Sequence, residues 1–274
     1  MPSWKPNNQF GMDASFDETA GAKAAMTEVP ITEAAIAAVI TAAGSSSRMG
    51  RGVKKEYLPL GKGIDDADGR PLTVLGAATG AFAANPHINL IVITVPLGVE
   101  YGQTAARAAL PSSLFMPGKH PPILFVPGGL TRRASVHNAL SLLSAYNPGY
   151  VLIHDGGRPW VDGILIEKTI EALLRYRAAA PLLPLTETPK EFDPSGFITR
   201  HLRRSSVGAA QTPQGFAFRE ILRAHALAAE REIRDHYEYT DDAEIWGEFI
   251  GPVAVVEGSP GNKKITFPED LQRV

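Results

Sequence analysis

A group of cations behind a small-residue loop is the part of this sequence best suited to chemistry. Residues 38–57 begin as a short apolar run, pass through Gly44 and three serines, and then carry Arg48, Arg51, Lys54 and Lys55. Glycine and serine allow a tight turn whose backbone N–H groups point at a ligand, and the cations add positive charge beside it. This combination predicts a polyphosphate-binding loop. An exposed basic loop in an ordinary α/β domain is the alternative interpretation.

A second loop combines two glycines with a serine near the start of a predicted helix. It covers residues 127–136, P-G-G-L-T-R-R-A-S-V. The Ser135 hydroxyl and neighbouring N–H groups could hold a base, a ribose or a phosphate. Alternatively, the glycines only make a turn and Thr131 caps the helix. The loop by itself favours neither interpretation.

A third loop places an acid and a base at the end of a strongly apolar run. It covers residues 154–159, H-D-G-G-R-P. A carboxylate such as Asp155 at a strand end can share Mg²⁺ with substrate phosphates, and Arg158 can bind an anion with its two-pronged guanidinium. A structural Asp–Arg pair is the alternative. The position of His154 predicts a hydrogen-bonded strand-end residue rather than a general base.

The composition limits the classes of function. The chain has 274 residues, 44% hydrophobic and 20% charged, with a formal net charge of -2. No overall field therefore draws it to nucleic acid or to an anionic membrane, and an anion site must be built from local cations. The absence of cysteine excludes disulfides, thiolate metal sites and thiol nucleophiles, and it fits a reducing compartment.

The N-terminal residues carry no recognisable targeting pattern. Residues 1–33 are rich in alanine and polar side chains, without the apolar run of a secretory signal or the arginines of a transit peptide. No apolar run in the chain approaches the roughly 18 residues of a transmembrane helix. We therefore expect an N-terminal extension over residues 1–33, a main domain over residues 34–274, and a cytoplasmic location.

The elements that position these loops form an alternating series. Short apolar runs predict strands at 36–42, 90–95, 123–126, 150–154, about 180–185 and 253–257, and helical spacing appears at 72–84, 133–146, 163–179 and 215–234. Continuous apolar runs are typical of strands that are covered on both faces. The alternation predicts an α/β fold with a doubly wound, mostly parallel, Rossmann-like sheet. Ligands of such folds bind outside the carboxyl ends of the strands.

A nicotinamide-dependent dehydrogenase is disfavoured. Ser46 stands where a G-x-G-x-x-G loop needs its second glycine. The acids about 20 residues further on, Asp65, Asp66 and Asp68, lie in a glycine-rich loop before the second predicted strand. They are therefore not at the strand end where a ribose-binding acid is expected.

Two segments interrupt or follow the regular alternation. Residues 186–206 predict a projecting β-hairpin with D-P-S-G as its turn, bracketed by Lys190 and Arg204, and such an arm is suited to packing on a second subunit. Further along, Asp241 followed three residues later by Glu244 resembles a capping box, which leaves Thr240 free to touch a ligand.

Taken in order, six segments resemble the 2-C-methyl-D-erythritol 4-phosphate cytidylyltransferase family of the non-mevalonate isoprenoid pathway. They span residues 35–271 and read A-A-G-S-S-S-R-M-G with K-K-E-Y-L-P-L, G-G-L-T-R-R-A-S-V-H-N-A-L, H-D-G-G-R-P, Q-T-P-Q-G-F, Y-T-D-D-A and G-N-K-K-I-T-F-P-E-D-L. The resemblance implies that CTP and the methylerythritol phosphate give 4-diphosphocytidyl-2-C-methyl-D-erythritol and pyrophosphate. A substrate phosphate oxygen would attack the α-phosphorus in line, so no nucleophilic side chain is needed.

The resemblance also implies roles for individual residues. Catalytic cations would be Arg48, Lys55 and Lys264, and Asp155 would hold Mg²⁺. CTP would be received by Ala42, Ala43, Gly44, Gly129, Ser135, Asp155 and Arg158, and the methylerythritol phosphate by Thr188, Arg204, Thr212 and Thr240. The family's arm crosses to the neighbouring subunit, which implies a homodimer with Thr188 and Arg204 acting in trans.

The chain departs from the family pattern at several positions. Ser46 replaces a glycine, Lys54 a proline and Glu56 a glutamine, and H-L-R-R at 201–204 replaces a T-x-D-R-like segment while keeping Arg204. Three other functions stay open. They are a cytidylyltransferase for another alditol phosphate such as ribitol 5-phosphate, a UTP- or GTP-dependent sugar-phosphate nucleotidyltransferase, and a non-catalytic nucleotide-binding protein.

Overall fold

The structure of this protein is a computed structural model that describes residues 35–50, 54–97 and 99–272. The predicted extension over residues 1–33 and the cation Arg51 lie outside these ranges. The strands are Ile36–Thr41 (β1), Ile88–Val95 (β2), Ile123–Pro127 (β3), Tyr150–Asp155 (β4), Ala178–Pro184 (β5), Lys190–Phe192 (β6), Ile198–His201 (β7), Gly208–Ala210 (β8), Gln214–Ala217 (β9) and Ala254–Glu257 (β10). The α-helices are Val74–Ala83 (α1), Val99–Ala108 (α2), Arg132–Leu143 (α3), Gly163–Tyr176 (α4), Phe218–Asp235 (α5) and Asp242–Phe249 (α6).

A single mixed sheet organises the domain. Its strand order is β10–β5–β9–β4–β1–β2–β3, and β8 pairs with β5 at the side. The run from β4 through β1 and β2 to β3 is parallel, as is the β5–β10 pair. β9 lies antiparallel between β4 and β5, and β8 is antiparallel to β5. The predicted α/β, mostly parallel fold is confirmed.

The central strands are buried on both faces, as their continuous apolar sequences predict. Along β1 the side chains alternate between two cores, with Ile40 in one and Val39 in the other. Phe82 of α1 packs in the first core, whereas Leu140 of α3 and Ile221 of α5 pack in the second. Helices therefore cover both faces of the sheet, which forces every polar ligand contact to its edges and ends.

The predicted helix over 215–234 begins three residues later than expected. Residues Gln214–Ala217 form β9, and the helix starts at Phe218. Phe216 is fully buried, and a Cβ atom added at Gly215 would lie 2.9 Å from side-chain atoms of Leu152 and Leu173. Strand β9 thus fills the space between β4 and β5 at close packing, and this tertiary fit outweighs the helical spacing. Helix α2 was not predicted, and α6 was indicated only by the capping-box pattern at Asp241 and Glu244.

The predicted arm is a separate two-stranded sheet. β6 and β7 pair antiparallel, and the turn between them is closed by a 3.0 Å bond from Gly196 N to the Asp193 carbonyl. Gly196 has a φ of 87°, which a glycine adopts without strain. The arm exposes Phe192, Phe197 and Ile198. Its apolar surface has no cover within the described part of the chain.

The carboxyl ends of four parallel strands meet at one edge of the sheet. Thr41 at the end of β1 pairs in register with Thr94 of β2 and with Asp155 of β4. β3 ends beside β2, with Val95 opposite Pro127. The three loops with predicted ligand chemistry therefore leave the sheet side by side. In the part of the chain described here, no helix is long and apolar enough to cross a membrane.

Candidate active site

A cleft of about 630 Å³ opens at this edge of the sheet. It brings together residues that the sequence analysis assigned to a site from widely separated segments. Those that line it are Ala43, Gly44, Arg48, Lys55, Gly129, Ser135, Asp155 and Lys264. The cleft also contains side chains that were not assigned, among them Glu56, Arg132 and Glu238.

Lys55 is held in place before any ligand arrives. Its residue is only 9% exposed, and Nζ donates a 2.7 Å hydrogen bond to the carbonyl of Ile265. A Cβ atom added at Gly157 would lie 3.2 Å from this Nζ, so the second glycine of H-D-G-G-R-P leaves room for the ammonium. Burial lowers the pKa of Lys55, and the nearby Glu56 carboxylate opposes that shift. Lys55 therefore presents a fixed, poorly solvated charge.

Asp155 is a buried carboxylate at the centre of three cations. Its Oδ2 lies 2.8 Å from Lys264 Nζ and 3.5 Å from Arg158 Nε, and its Oδ1 lies 3.4 Å from Arg132 Nε. Burial alone would raise the pKa of Asp155, but these cations outweigh it and hold the pKa well below the usual range. Asp155 is therefore ionised at neutral pH and fixes the cations around it.

Arg132 is a cation of the cleft that was not assigned from the sequence. Its Nη2 lies 2.8 Å from Asp242 Oδ2, in addition to the contact with Asp155. Asp242 is fully buried and also lies 3.1 Å from His225 Nε2. Burial would lower the pKa of Arg132, but the two carboxylates raise it. The feature of the sequence that could have indicated a site role for Arg132 is its position in the first turn of the helix that follows P-G-G-L-T.

The glycine loop before α3 has the helix cap that one interpretation of its sequence predicts, and its Gly129 and Ser135 line the cleft. Thr131 caps α3 by accepting a bond from Ala134 N, and Ser135 Oγ accepts from Gly129 N at 3.0 Å and donates to the Thr131 carbonyl at 2.9 Å. A Cβ atom added at Gly128 would lie 2.2 Å from the Cβ of Ala43. The loop can therefore approach the first loop closely only because residue 128 is glycine.

Three of the assigned residues form the support behind the cleft rather than its lining. Ala42 is buried, and its N donates to the Thr94 carbonyl. Thr212 Oγ1 accepts from Asp155 N at 3.1 Å and lies 3.0 Å from His154 Nδ1. Arg158 donates from Nη1 to the Asn262 carbonyl at 2.9 Å, in addition to its contact with Asp155.

His154 is a buried structural residue, as predicted. Its Nε2 lies 3.1 Å from the Arg158 carbonyl, and its Nδ1 faces the Thr212 hydroxyl. Burial lowers the pKa of His154 to about 4. A neutral imidazole that donates from Nε2 and accepts at Nδ1 satisfies both contacts. His154 therefore braces the strand end and presents no proton to the cleft.

The residues assigned to the second substrate do not line the cleft of a single chain. Thr240 is exposed and donates from Oγ1 to Glu244 Oε2 at 2.9 Å, while Asp241 caps α6 as the sequence predicts. Thr188 is exposed at the base of the arm, and Arg204 donates to the Thr186 carbonyl at 2.6 Å.

Comparison with known proteins identifies the family to which the chain is similar. Residues 36–274 match the family described as IspD, 2-C-methyl-D-erythritol 4-phosphate cytidylyltransferase. The chain belongs to this family. A solved structure of 4-diphosphocytidyl-2C-methyl-D-erythritol synthase from Anaerococcus prevotii is 27% identical, with a TM-score of 0.67, 88% of this chain covered and 94% of that one. The 2-C-methyl-D-erythritol 4-phosphate cytidylyltransferase of Thermus thermophilus is 31% identical, with a TM-score of 0.61 and 87% and 96% covered.

Curated relatives of the IspD family extend beyond the region matched here. The bifunctional enzyme IspD/IspF of Solidesulfovibrio magneticus is 38% identical over 240 residues, which are 85% of this chain and 54% of the relative. The chain thus spans about half the length of the curated relatives that it matches. What it shares with them is the cytidylyltransferase-family portion.

The donor chemistry of this IspD-family site fits a divalent cation that arrives with phosphates. Among the residues described, no three His, Cys, Asp or Glu side chains are grouped to hold a metal ion. Mg²⁺ commonly takes one or two carboxylates and completes its shell with phosphate and water. Asp155 offers one such carboxylate on the cleft wall, where Lys264 is the nearest of its three cationic partners.

Replacing Arg132 with methionine tests its place in the site. We expect a loss of about 3 kcal/mol in unfolding free energy, because Asp242 would be left buried without its cation. We also expect affinity for CTP to fall about tenfold, because a cation is lost from the cleft wall. Arg133→Met is the matched control, since Arg133 pairs with Glu232 at 2.6 Å and does not line the cleft.

Urea unfolding and titration calorimetry with CTP measure the two effects. Arg133→Met should lose comparable stability and keep wild-type affinity. Equal affinities for the two variants would show that Arg132 has only a structural role.

Proposed function

We propose that this protein transfers a cytidylyl group from CTP to 2-C-methyl-D-erythritol 4-phosphate. The products are 4-diphosphocytidyl-2-C-methyl-D-erythritol and pyrophosphate. The observation that carries the proposal is the convergence of Arg48, Lys55, Arg132 and Lys264 on one cleft in a chain of near-neutral net charge. Membership of the IspD family supports the choice of CTP and of the alditol phosphate.

The reaction needs positioning and charge neutralisation rather than a nucleophilic side chain. A phosphate oxygen of the methylerythritol phosphate attacks the α-phosphorus of CTP and forms a new P–O bond. The bond to the bridging oxygen breaks on the opposite side, and its electron pair leaves with pyrophosphate. Negative charge accumulates on the α-phosphoryl oxygens in the transition state, where a fixed cation is most effective.

Lys55 and Arg48 are the cations best suited to that transition state. Lys55 is fixed by the Ile265 carbonyl in a desolvated position, so its charge is available without reorganisation. Arg48 is exposed on the loop after β1, beside Gly44, and can reach the phosphates from the opening of the cleft. We assign the triphosphate to the space between these two side chains.

The carboxyl end of β4 contributes the remaining charges. Lys264 would orient the attacking phosphate, and it is brought to the cleft by its contact with Asp155. Mg²⁺, when bound together with CTP, would be held by Asp155 and would neutralise phosphate charge. Asp155 contacts both Lys264 and Arg132, and it therefore orients these two cations whether or not Mg²⁺ is bound.

The nucleoside end of CTP would lie against the two glycine-containing loops. Ala43, Gly44 and Gly129 expose backbone to the cleft, and Ser135 holds the Gly129 N–H in place. Ala42 and Arg158 would contribute indirectly. Ala42 would fix the start of the loop by its bond to the Thr94 carbonyl, and Arg158 would help to hold Asp155. These contacts use backbone groups and short side chains.

A homodimer would complete the second substrate's site. Thr188 and Arg204 lie at the base of an arm whose Phe192, Phe197 and Ile198 are exposed. An arm that packs on a second subunit would cover this apolar surface and carry Arg204 toward that subunit's cleft. Thr212 and Thr240 would act from the subunit that holds CTP.

Pyrophosphate release by the purified protein tests the proposal directly. The assay combines Mg²⁺, each of four nucleoside triphosphates and either 2-C-methyl-D-erythritol 4-phosphate or ribitol 5-phosphate. We expect release with CTP and the methylerythritol phosphate. Release only with ribitol 5-phosphate would change the substrate, release with another nucleotide would change the base, and CTP binding without release would indicate a non-catalytic protein.

Lys55→Ala tests the role of the buried cation. We expect kcat to fall about 10²–10³-fold with little change in CTP affinity, because a charge aimed at the transition state acts mainly on kcat. Lys263→Ala is the control, since Lys263 is exposed near the same loop and does not line the cleft. Steady-state kinetics and CTP calorimetry measure both quantities. A wild-type kcat in Lys55→Ala would refute the assigned role.

Mixing two impaired variants tests the site in trans. Arg204→Ala should mainly raise KM for the alditol phosphate, and Lys55→Ala should lower kcat about 10²–10³-fold. If Arg204 acts on the partner's cleft, random reassociation restores one complete site in each mixed dimer. About a quarter of wild-type activity is then expected at low alditol phosphate concentration. Activity no greater than the sum of the two separate variants would show that each subunit works alone.

A further inference from the structure

A strained serine in the loop after β1 is held by a buried acid. Ser46 has a φ of 50°, in the left-handed region that side chains other than glycine, asparagine and aspartate rarely adopt. A residue in this region costs about 1–2 kcal/mol and persists only where its surroundings hold it. The contacts of Ser46 therefore identify what fixes the conformation of this loop.

The hydroxyl of Ser46 bonds to the segment that carries Lys55. Its Oγ donates to Glu56 Oε2 at 3.1 Å and accepts from Lys55 N at 3.3 Å. On the other side of the loop, Lys54 Nζ donates to the carbonyls of Ala43 and Gly44. Three consecutive residues thus bind three positions of the loop after β1.

Glu56 is an unusual residue to find on the wall of an anion cleft. It is only 4% exposed, and its Oε1 lies 3.9 Å from Lys55 Nζ. A carboxylate repels phosphate, so its charge does not favour a triphosphate in the cleft. Its Oε2 accepts the hydrogen bond from Ser46. Glu56 therefore contributes to the site through its hold on the loop, besides its contact with Lys55.

We infer that Glu56 is a positioning residue that acts through Ser46 to hold the loop after β1 in the conformation that receives the triphosphate. The loop lines the cleft with Gly44, Ser45 and Ser46, and its end carries Arg48. Without the Ser46–Glu56 bond, the strained residue loses the side-chain contact that links it to the buried acid. The loop then orders only when nucleotide binds, and affinity falls by the cost of that ordering. The inference rests on the proposed function, because it concerns binding of CTP to the same cleft.

The test compares CTP affinity among variants of the two residues, by titration calorimetry without the second substrate. We expect Ser46→Ala and Glu56→Ala each to weaken CTP binding at least about tenfold, since each removes a hydrogen bond to a charged acceptor. The double variant should bind no more weakly than Ser46→Ala, because that change already removes the bond to Glu56. Glu56→Gln keeps an acceptor oxygen for the Ser46 hydroxyl and should stay within about threefold of wild type.

Two controls separate positioning from charge and from folding. Glu238→Ala removes a different acid from the cleft wall and should not weaken CTP binding. Circular dichroism and thermal unfolding of each variant show that the domain remains folded. Ser46→Gly removes the hydroxyl and also the strain, so its affinity should lie between those of wild type and Ser46→Ala.

The outcomes distinguish this inference from the proposed function. Wild-type protein that does not bind CTP would overturn both. Wild-type binding together with unchanged affinity in Glu56→Ala would overturn the inference alone. So would a Glu56→Gln variant as weak as Glu56→Ala, or a double variant whose loss equals the product of the two single losses.

Discussion

The buried carboxylate of Asp155 is the interaction on which the cleft depends. Lys264, Arg132 and Arg158 approach it from three different parts of the chain, at 2.8, 3.4 and 3.5 Å. Cations placed this close to one another and to Lys55 repel, and the repulsion is strong where water is excluded. A buried carboxylate without partners would be equally unfavourable. Each charge therefore requires the others, and the protein can hold an anion site of high local charge although its net charge is only -2.

A network of hydrogen bonds behind the cleft fixes the positions of these charged side chains. The segment that carries Lys264 is bound to the β4 end and to residues near Thr212. Asn262 Nδ2 donates to the Thr212 carbonyl at 2.7 Å, and Ile265 N donates to the Gly157 carbonyl at 2.8 Å. The Ile265 carbonyl in turn accepts from Lys55. Ile265 thus links the β4 loop to Lys55, and backbone groups behind the cleft determine where the cations point.

The sequence predicts the fold and half of the site because those features have local signals. Apolar runs mark the central strands, and residues at strand ends, such as Asp155, meet wherever parallel strands end together. Contacts between distant segments leave no such signal. Lys55 and Ile265 are 210 residues apart, and the pairing of Arg132 with Asp242 depends on how α3 and α6 pack. Strand β9 was missed for the same reason, because the fit of Phe216 between β4 and β5 overrides the local helical spacing.

The two cations nearest the assigned triphosphate differ in burial, and this difference has a physical consequence. Lys55 is 9% exposed and bonded to a carbonyl, so its charge is oriented before the substrate enters. Arg48 is exposed and lines the same cleft. A fixed charge stabilises developing negative charge without reorganisation, whereas an exposed side chain can adjust to an anion in the cleft. Rigid supports such as Glu56 and Ile265 belong to the interior, so the cleft combines a preoriented cation with one that can adapt to its ligand.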